Sequence, residues 1–151
     1  RQVLLGLLKG DAQGRTLVFT RTKHGADRVV KQMVEGGVPA VAIHGNKSQG
    51  QRERALEAFR TGECRVMVAT DIAARGIDVD DVGHVINFDL PNVPESYVHR
   101  IGRTARAGRE GMAISLCAPD ERPFLRDIEK LIRAKVTVLP MPGQAQRARA
   151  A

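Results

Sequence analysis

The 151-residue chain has no tryptophan, one tyrosine and four phenylalanines, an aromatic content of 3%. With hydrophobic residues at 42%, it has enough apolar mass for one globular core, and that core must be aliphatic. It has only two cysteines, Cys64 and Cys117, far apart and without CxxC spacing. That excludes a disulfide framework and a cysteine-built zinc site, and it fits a reducing, cytoplasmic compartment. No long apolar span and no signal peptide is visible, so the expectation is a soluble domain with no membrane partner. Acid is in short supply: 17 Asp plus Glu against 24 Lys plus Arg, a net charge of +7 and a pI near 10.1. Such a balance favours a polyanionic partner, most often nucleic acid, with a basic but inert surface as the alternative. The chain opens "RQVLLGLLKG" without Met and is expected to be part of something longer.

What is present is an alternation. Short β-branched runs at 16–20, 40–44, 65–70, 84–89 and 112–117 are apolar on both faces, as strands buried in a parallel sheet are. Amphipathic stretches separate them. In "KHGADRVVKQMVEGG", Ala26, Val29, Val30, Met33 and Val34 follow helical spacing, and Gly36-Gly37 supplies a stop. In "SQGQRERALEAFRTG", Ser48 is the expected N-cap, Ala55, Leu56 and Phe59 face inward, and Gly62 closes the helix. "NVPESYVHRIGRTARAG" and "DERPFLRDIEKLIRAK" complete the pattern. Strand–helix–strand repetition predicts an α/β domain with a mainly parallel sheet over 1–137. The remaining 138–151, with Pro, Gly and basic residues, reads as a tail.

In such sheets ligands gather beyond the carboxyl ends of the strands. Those ends carry Arg21-Thr22-Lys23, His44-Gly45-Asn46-Lys47, Thr70-Asp71 and Asp89: hydroxyls, glycine and cations, the composition of a phosphate-gripping surface. Three segments add chemistry. "HRIGRTARAGR" places Arg100, Arg103, Arg106 and Arg109 at every third position with no acid among them. On a helix, Arg103 and Arg106 would share one face with His99 and could clamp phosphoryl oxygens; a solvated cationic face is the plain alternative. "VATDIAARGIDV" ends a strand in Thr70-Asp71 and turns through Gly76 to Asp78, a carboxylate placed to meet a ribose. For Asp71 itself, capping the next turn is the simpler reading. "HGNKSQGQRERAL" exposes Gly45 and aligns Gln49 with Arg52. An arginine near a helix start opposes the macrodipole, an oddity a bound phosphate would remove; pairing with Glu53 or Glu57 is the alternative.

In order, "LVFTRTKHGAD", "HGNKSQGQRERAL", "VATDIAARGIDV", "HVINFDLP" and "YVHRIGRTARAG" resemble the C-terminal RecA-like domain of DEAD-box ATP-dependent RNA helicases. The wording is most similar to the bacterial RhlE-type subgroup. Asn46 and Ala105 depart from that pattern, where Asp and Gly are commoner. The resemblance implies a three-layer α/β/α fold. It implies Arg103 and Arg106 as the catalytic pair at the ATP γ-phosphate, and Gly76 and Asp78 at the nucleotide. It implies Arg21, Thr22, Gly45, Gln49, Arg52 and Thr70 along an RNA sugar-phosphate backbone, read without regard to base sequence. His99 and Arg100 would organise the contact with an N-terminal RecA-like domain. No GxxxxGK[ST] loop and no Asp-Glu-Ala-Asp occurs, so Mg²⁺ and most of the ATP pocket would belong to that other domain, and the chain alone would be inactive. A monomer working with ribosome-assembly or RNA-decay complexes is the expected setting. A DNA translocase and a non-enzymatic RNA-binding module are the rival readings.

Overall fold

The computed structural model describes residues 2–10, 14–75, 82–102 and 112–138. Helix α1 (Gln2–Lys9) leads into β1 (Thr16–Phe19), α2 (Lys23–Glu35), β2 (Ala40–Ile43), α3 (Gln49–Thr61) and β3 (Val66–Ala69). A short α4 (Asp71–Arg75), β4 (His84–Asn87), α5 (Pro94–Ile101), β5 (Met112–Ser115), a 3₁₀ turn (Pro119–Glu121) and α6 (Arg122–Ile132) follow. The five strands form one sheet in the order β2-β3-β1-β4-β5, and every pairing is parallel. The strands are shorter than the apolar runs predict. The ladder nevertheless carries on past them, with Thr20 N–H donating to Ala69 O at 3.0 Å and Leu116 N–H to Asn87 O at 2.9 Å.

Strand alternation sorts the core into two layers. Val18, Ala42, Val68 and Ile86 pack with Leu4, Leu8, Ala26, Val29 and Met33 from α1 and α2. Leu17, Ile43, Met67, Ala69 and Val85 pack with Ala55 and Phe59 of α3 and Ala73 and Ala74 of α4. Registers Leu17↔Met67 and Val18↔Val68 keep each set on its own face. The result is the expected α/β/α sandwich with an aliphatic core. Each fully buried Leu, Ile, Val, Met or Phe contributes about 1.5–3 kcal/mol relative to exposure. A third cluster, Leu90, Tyr97 and Ile128, joins α5 to α6.

The helix ends follow local chemistry. The Thr22 hydroxyl oxygen accepts from Gly25 N–H at the start of α2. Ser48 opens α3 in a reciprocal capping box with Gln51, and Gly62, at φ 85°, closes it. One expectation is corrected. Val34 is 54% exposed, because α2 buries only the Ala26, Val29, Met33 stripe and leaves Val30 half-buried. The opening segment is a helix that seals one face of the sheet through Leu4 and Leu8, a contribution with no strand-like or capped signature in the sequence.

Candidate nucleic-acid interface

At the carboxyl end of β2 the chain turns through His44, Gly45, Asn46 and Lys47 into α3. His44 is 2% exposed, and its ring organises the turn. Asn46 N–H donates to Nδ1 at 3.2 Å, which leaves Nε2–H to donate to Asp27 Oδ1 at 2.8 Å. The His44 carbonyl accepts Lys47 N–H at 3.1 Å and Arg52 Nη2 at 3.4 Å. Lys47 Nζ lies 3.6 Å from Asp27, and Lys23 Nζ donates to Asn46 Oδ1 at 3.1 Å. Burial pushes the Asp27 carboxyl up, but its hydrogen bond from His44 and the charge of Lys47 outweigh that and hold it below the ordinary carboxylate value.

This turn presents an open cationic surface. Gly45 is exposed, and a Cβ added there would meet nothing within 4 Å, so a ligand can reach the backbone. Arg52 is short of acceptors: its one hydrogen bond is long, and its buried Nε has no partner. A donor left so costs on the order of 1–3 kcal/mol. Gln49 is exposed beside it, with its amide 3.3 Å from Glu53. Thr70 follows β3, and its carbonyl accepts Ala74 N–H at the start of α4. Thr22 keeps a hydroxyl proton to donate while its oxygen caps α2. All six sequence-expected backbone-binding residues thus sit after the carboxyl ends of β1, β2 and β3, the three strands that lie side by side as β2-β3-β1.

The other half of that edge is closed. Arg100 is 1% exposed, and Nε and Nη2 grip Asp71 at 2.6 and 2.9 Å. Its Nη1 donates to Asn87 Oδ1 at 3.2 Å and Asp89 O at 2.6 Å, and the guanidinium lies 5.1 Å from the centre of the Phe19 ring. The expectation that Arg100 meets another domain is corrected: its donors are engaged inside this one. It acts instead by fixing the ends of β3 and β4. Asp71, expected as a cap, is its counter-ion. Arg21 is engaged in part. Its backbone N–H donates to Asp89, while Nη2 reaches Leu90 O at 2.7 Å and Glu121 Oε2 at 3.0 Å, over the Phe124 ring. Glu121 also accepts the buried Leu90 N–H at 2.8 Å. Arg21 therefore braces strand ends through Nη2, while its Nε and Nη1 donors have no partner among the described residues and the side chain is 43% exposed.

Residues 1–108 match the family described as the helicase conserved C-terminal domain. The Escherichia coli DEAD-box protein SrmB, solved bound to regulator of ribonuclease activity A, is 39% identical and superposes with a TM-score of 0.86 over 91% of this chain and 82% of that one. The chain belongs to this family: it is a DEAD-box helicase C-terminal domain. DEAD-box ATP-dependent RNA helicase 30 of Arabidopsis thaliana is 46% identical over 138 residues, 91% of this chain and 23% of that protein. The chain thus spans about a quarter of the length of the curated relative it matches. Saccharomyces cerevisiae Dbp5 bound to RNA and ADP BeF3 is 33% identical with a TM-score of 0.79, covering 89% of this chain and 37% of that one. These relatives come from a bacterium, a plant and a yeast, so they fix the DEAD-box family and not a bacterial subgroup.

In this helicase C-terminal domain, α5 ends at Ile101 and Gly102 caps it. His99 is exposed on α5. Arg103, Arg106, Gly76 and Asp78, expected at the nucleotide, lie outside the described residues. Sequence reasoning missed three parts of the edge: Asp27 with His44, the Asp71–Arg100 pair, and Glu121. His44 and Lys47 were visible as strand-end residues. Nothing local marks Glu121, which is 100 residues from Arg21. No helix of the described residues is long and apolar enough to cross a membrane.

Proposed function

We propose that this domain is the C-terminal half of an ATP-dependent RNA helicase that opens or remodels short RNA duplexes, in the cytoplasm, together with an N-terminal RecA-like domain. The observation that supports it most is the open cationic turn at Gly45 and Arg52, at the strand edge of a DEAD-box domain. Arg21, Thr22, Gly45, Gln49, Arg52 and Thr70 would follow an RNA sugar-phosphate backbone through phosphate and 2′-hydroxyl contacts, without reading bases. Arg103 and Arg106 would face the γ-phosphate of ATP, and Gly76 and Asp78 the rest of the nucleotide. Mg²⁺ would be held mainly by the other domain. Bound ATP supplies the energy of closure, and this chain contributes the arginines that stabilise charge as the phosphoryl group departs. His99 would meet the partner domain, and Arg100 would act as a positioning residue behind it. A monomer serving ribosome-assembly or RNA-decay complexes fits this reading, with 1–137 as the working unit and 138–151 as its tail.

The test uses the whole protein. RNA is expected to stimulate ATP hydrolysis and DNA is not. Arg103→Ala is expected to lower kcat by about 10³-fold or more. The 151-residue chain alone is expected to turn over no ATP. Equal stimulation by DNA would move the protein to the translocases. RNA binding with an ATPase indifferent to Arg103 and Arg106 would make it a binding module.

A further inference from the structure

Helix α6 carries a second basic surface. Arg122, Arg126, Lys130 and Arg133 are all exposed. Their spacing of four, four and three residues puts them on one stripe. The opposite side of the helix is the packed one, with Phe124, Leu125, Ile128 and Ile132 in the third core cluster. Residues one turn apart on the stripe are separated by about 6 Å along the axis, a step comparable to that between successive phosphates of a nucleic-acid strand. None of the four makes an ion pair with a described residue. Glu129, the acid beside them, is already engaged, accepting Val136 N–H at 2.7 Å and lying 3.9 Å from Lys135 Nζ.

The end of the helix adds a separate observation. Arg133 adopts φ 56°, the left-handed region, and among the described residues it is the one non-glycine that does so. Glycine closes helices in this conformation without steric penalty, and an arginine does so against it. Arg133 lines a cleft of about 490 Å³ together with Arg126, Glu129, Lys130, Ala134 and Lys135, four cations against one acid. The stripe also has a starting point. Arg122 follows Glu121, whose carboxylate holds Arg21 and Leu90 at the carboxyl ends of β1 and β4. It therefore begins at the strand edge and leads away from it.

We propose that the α6 stripe is a second nucleic-acid contact, on which the phosphodiester backbone of a single RNA strand lies along Arg122, Arg126, Lys130 and Arg133. The choice of RNA rests on the function proposed above; the grip on a phosphate strand rests on α6 alone. The test measures equilibrium binding of a labelled single-stranded RNA to the intact protein across a salt series. Each phosphate contact contributes about 0.7 to the slope of log K against log salt for single strands. The triple variant Arg126→Gln, Lys130→Gln, Arg133→Gln is expected to flatten that slope by about 2. Arg133→Gly, which relieves the backbone, is expected to raise the melting temperature while flattening the slope by about 0.7. A slope unchanged in both variants overturns the stripe. If Arg52→Gln weakens binding in the same series, the strand-edge reading survives that failure. If no variant affects binding, both fall. Polyglutamate of matched charge binding the wild type more tightly than the triple variant, while both bind RNA equally, would make the stripe a dock for acidic protein and overturn the assignment to nucleic acid.

Discussion

The two halves of the strand edge use the same residue type in opposite ways. Beyond β4, Arg100 is engaged at all three nitrogens: a carboxylate, a side-chain amide and a carbonyl of the same chain take its donors, and its guanidinium lies over a ring face. Beyond β2, Arg52 has one long hydrogen bond and a buried nitrogen without a partner, beside a glycine with open space over it. The order β2-β3-β1-β4-β5 explains the division. Chain direction around the sheet switches between β1 and β4, the place where open α/β sheets usually leave a ligand crevice. Here Arg100, Asp71, Asn87 and Asp89 fill it. An arginine is thus held as a scaffold or left available according to whether acids and carbonyls from distant segments reach it.

Breaking the closed half has the largest expected effect. Arg100→Met leaves Asp71 without its partner and bares Asn87 and Asp89, and it is expected to cost about 3–5 kcal/mol of stability. Urea unfolding measures it; a loss below about 1 kcal/mol would mean that the cluster is not structural. Next comes Glu121→Ala, which strands the buried Leu90 N–H and releases Arg21, at an expected cost of about 2 kcal/mol in the same assay. In the open half the pattern should invert. Gly45→Ala meets no atoms, and its backbone is not in the left-handed region, so stability should move by less than about 0.5 kcal/mol. RNA affinity should nevertheless fall by about tenfold, or about 1.4 kcal/mol. A Gly45→Ala protein that binds as wild type would remove the turn from the interface.

The smallest effect is in acid. The Asp27 carboxyl is held below its ordinary value in the folded state. Its contribution is therefore present above the unfolded carboxylate pKa and is lost as pH falls through the lower folded one. Asp27 is half exposed, so solvent screening keeps the contribution small. Between about pH 5 and pH 2, wild type should lose slightly more stability than Asp27→Asn. Equal acid limbs in chemical denaturation would show that Asp27 does not anchor His44.

Much of the open half was legible from residues alone. Ser48 and Gly62 mark the ends of α3, and with them the faces of Gln49 and Arg52, because caps are local chemistry. Strand identity was legible too, since burial on both faces leaves an uninterrupted apolar run. The closed half was not. The Asp71–Arg100 pair spans 29 residues and Arg21–Glu121 spans 100, and no spacing rule reaches that far. Val34 fits the helical period of α2, yet it is exposed, because the period fixes a stripe and the packing partner decides how wide it is.

By itself the sequence determined the α/β alternation, the parallel sheet, the aliphatic core and the basic charge, since these depend on composition, period and caps. It also carried the family, through motifs in a fixed order. Only the tertiary structure decided which arginines are engaged and which are available. A guanidinium's role depends on the acceptors within about 3 Å of it, and those come from strands and helices that the fold alone brings together.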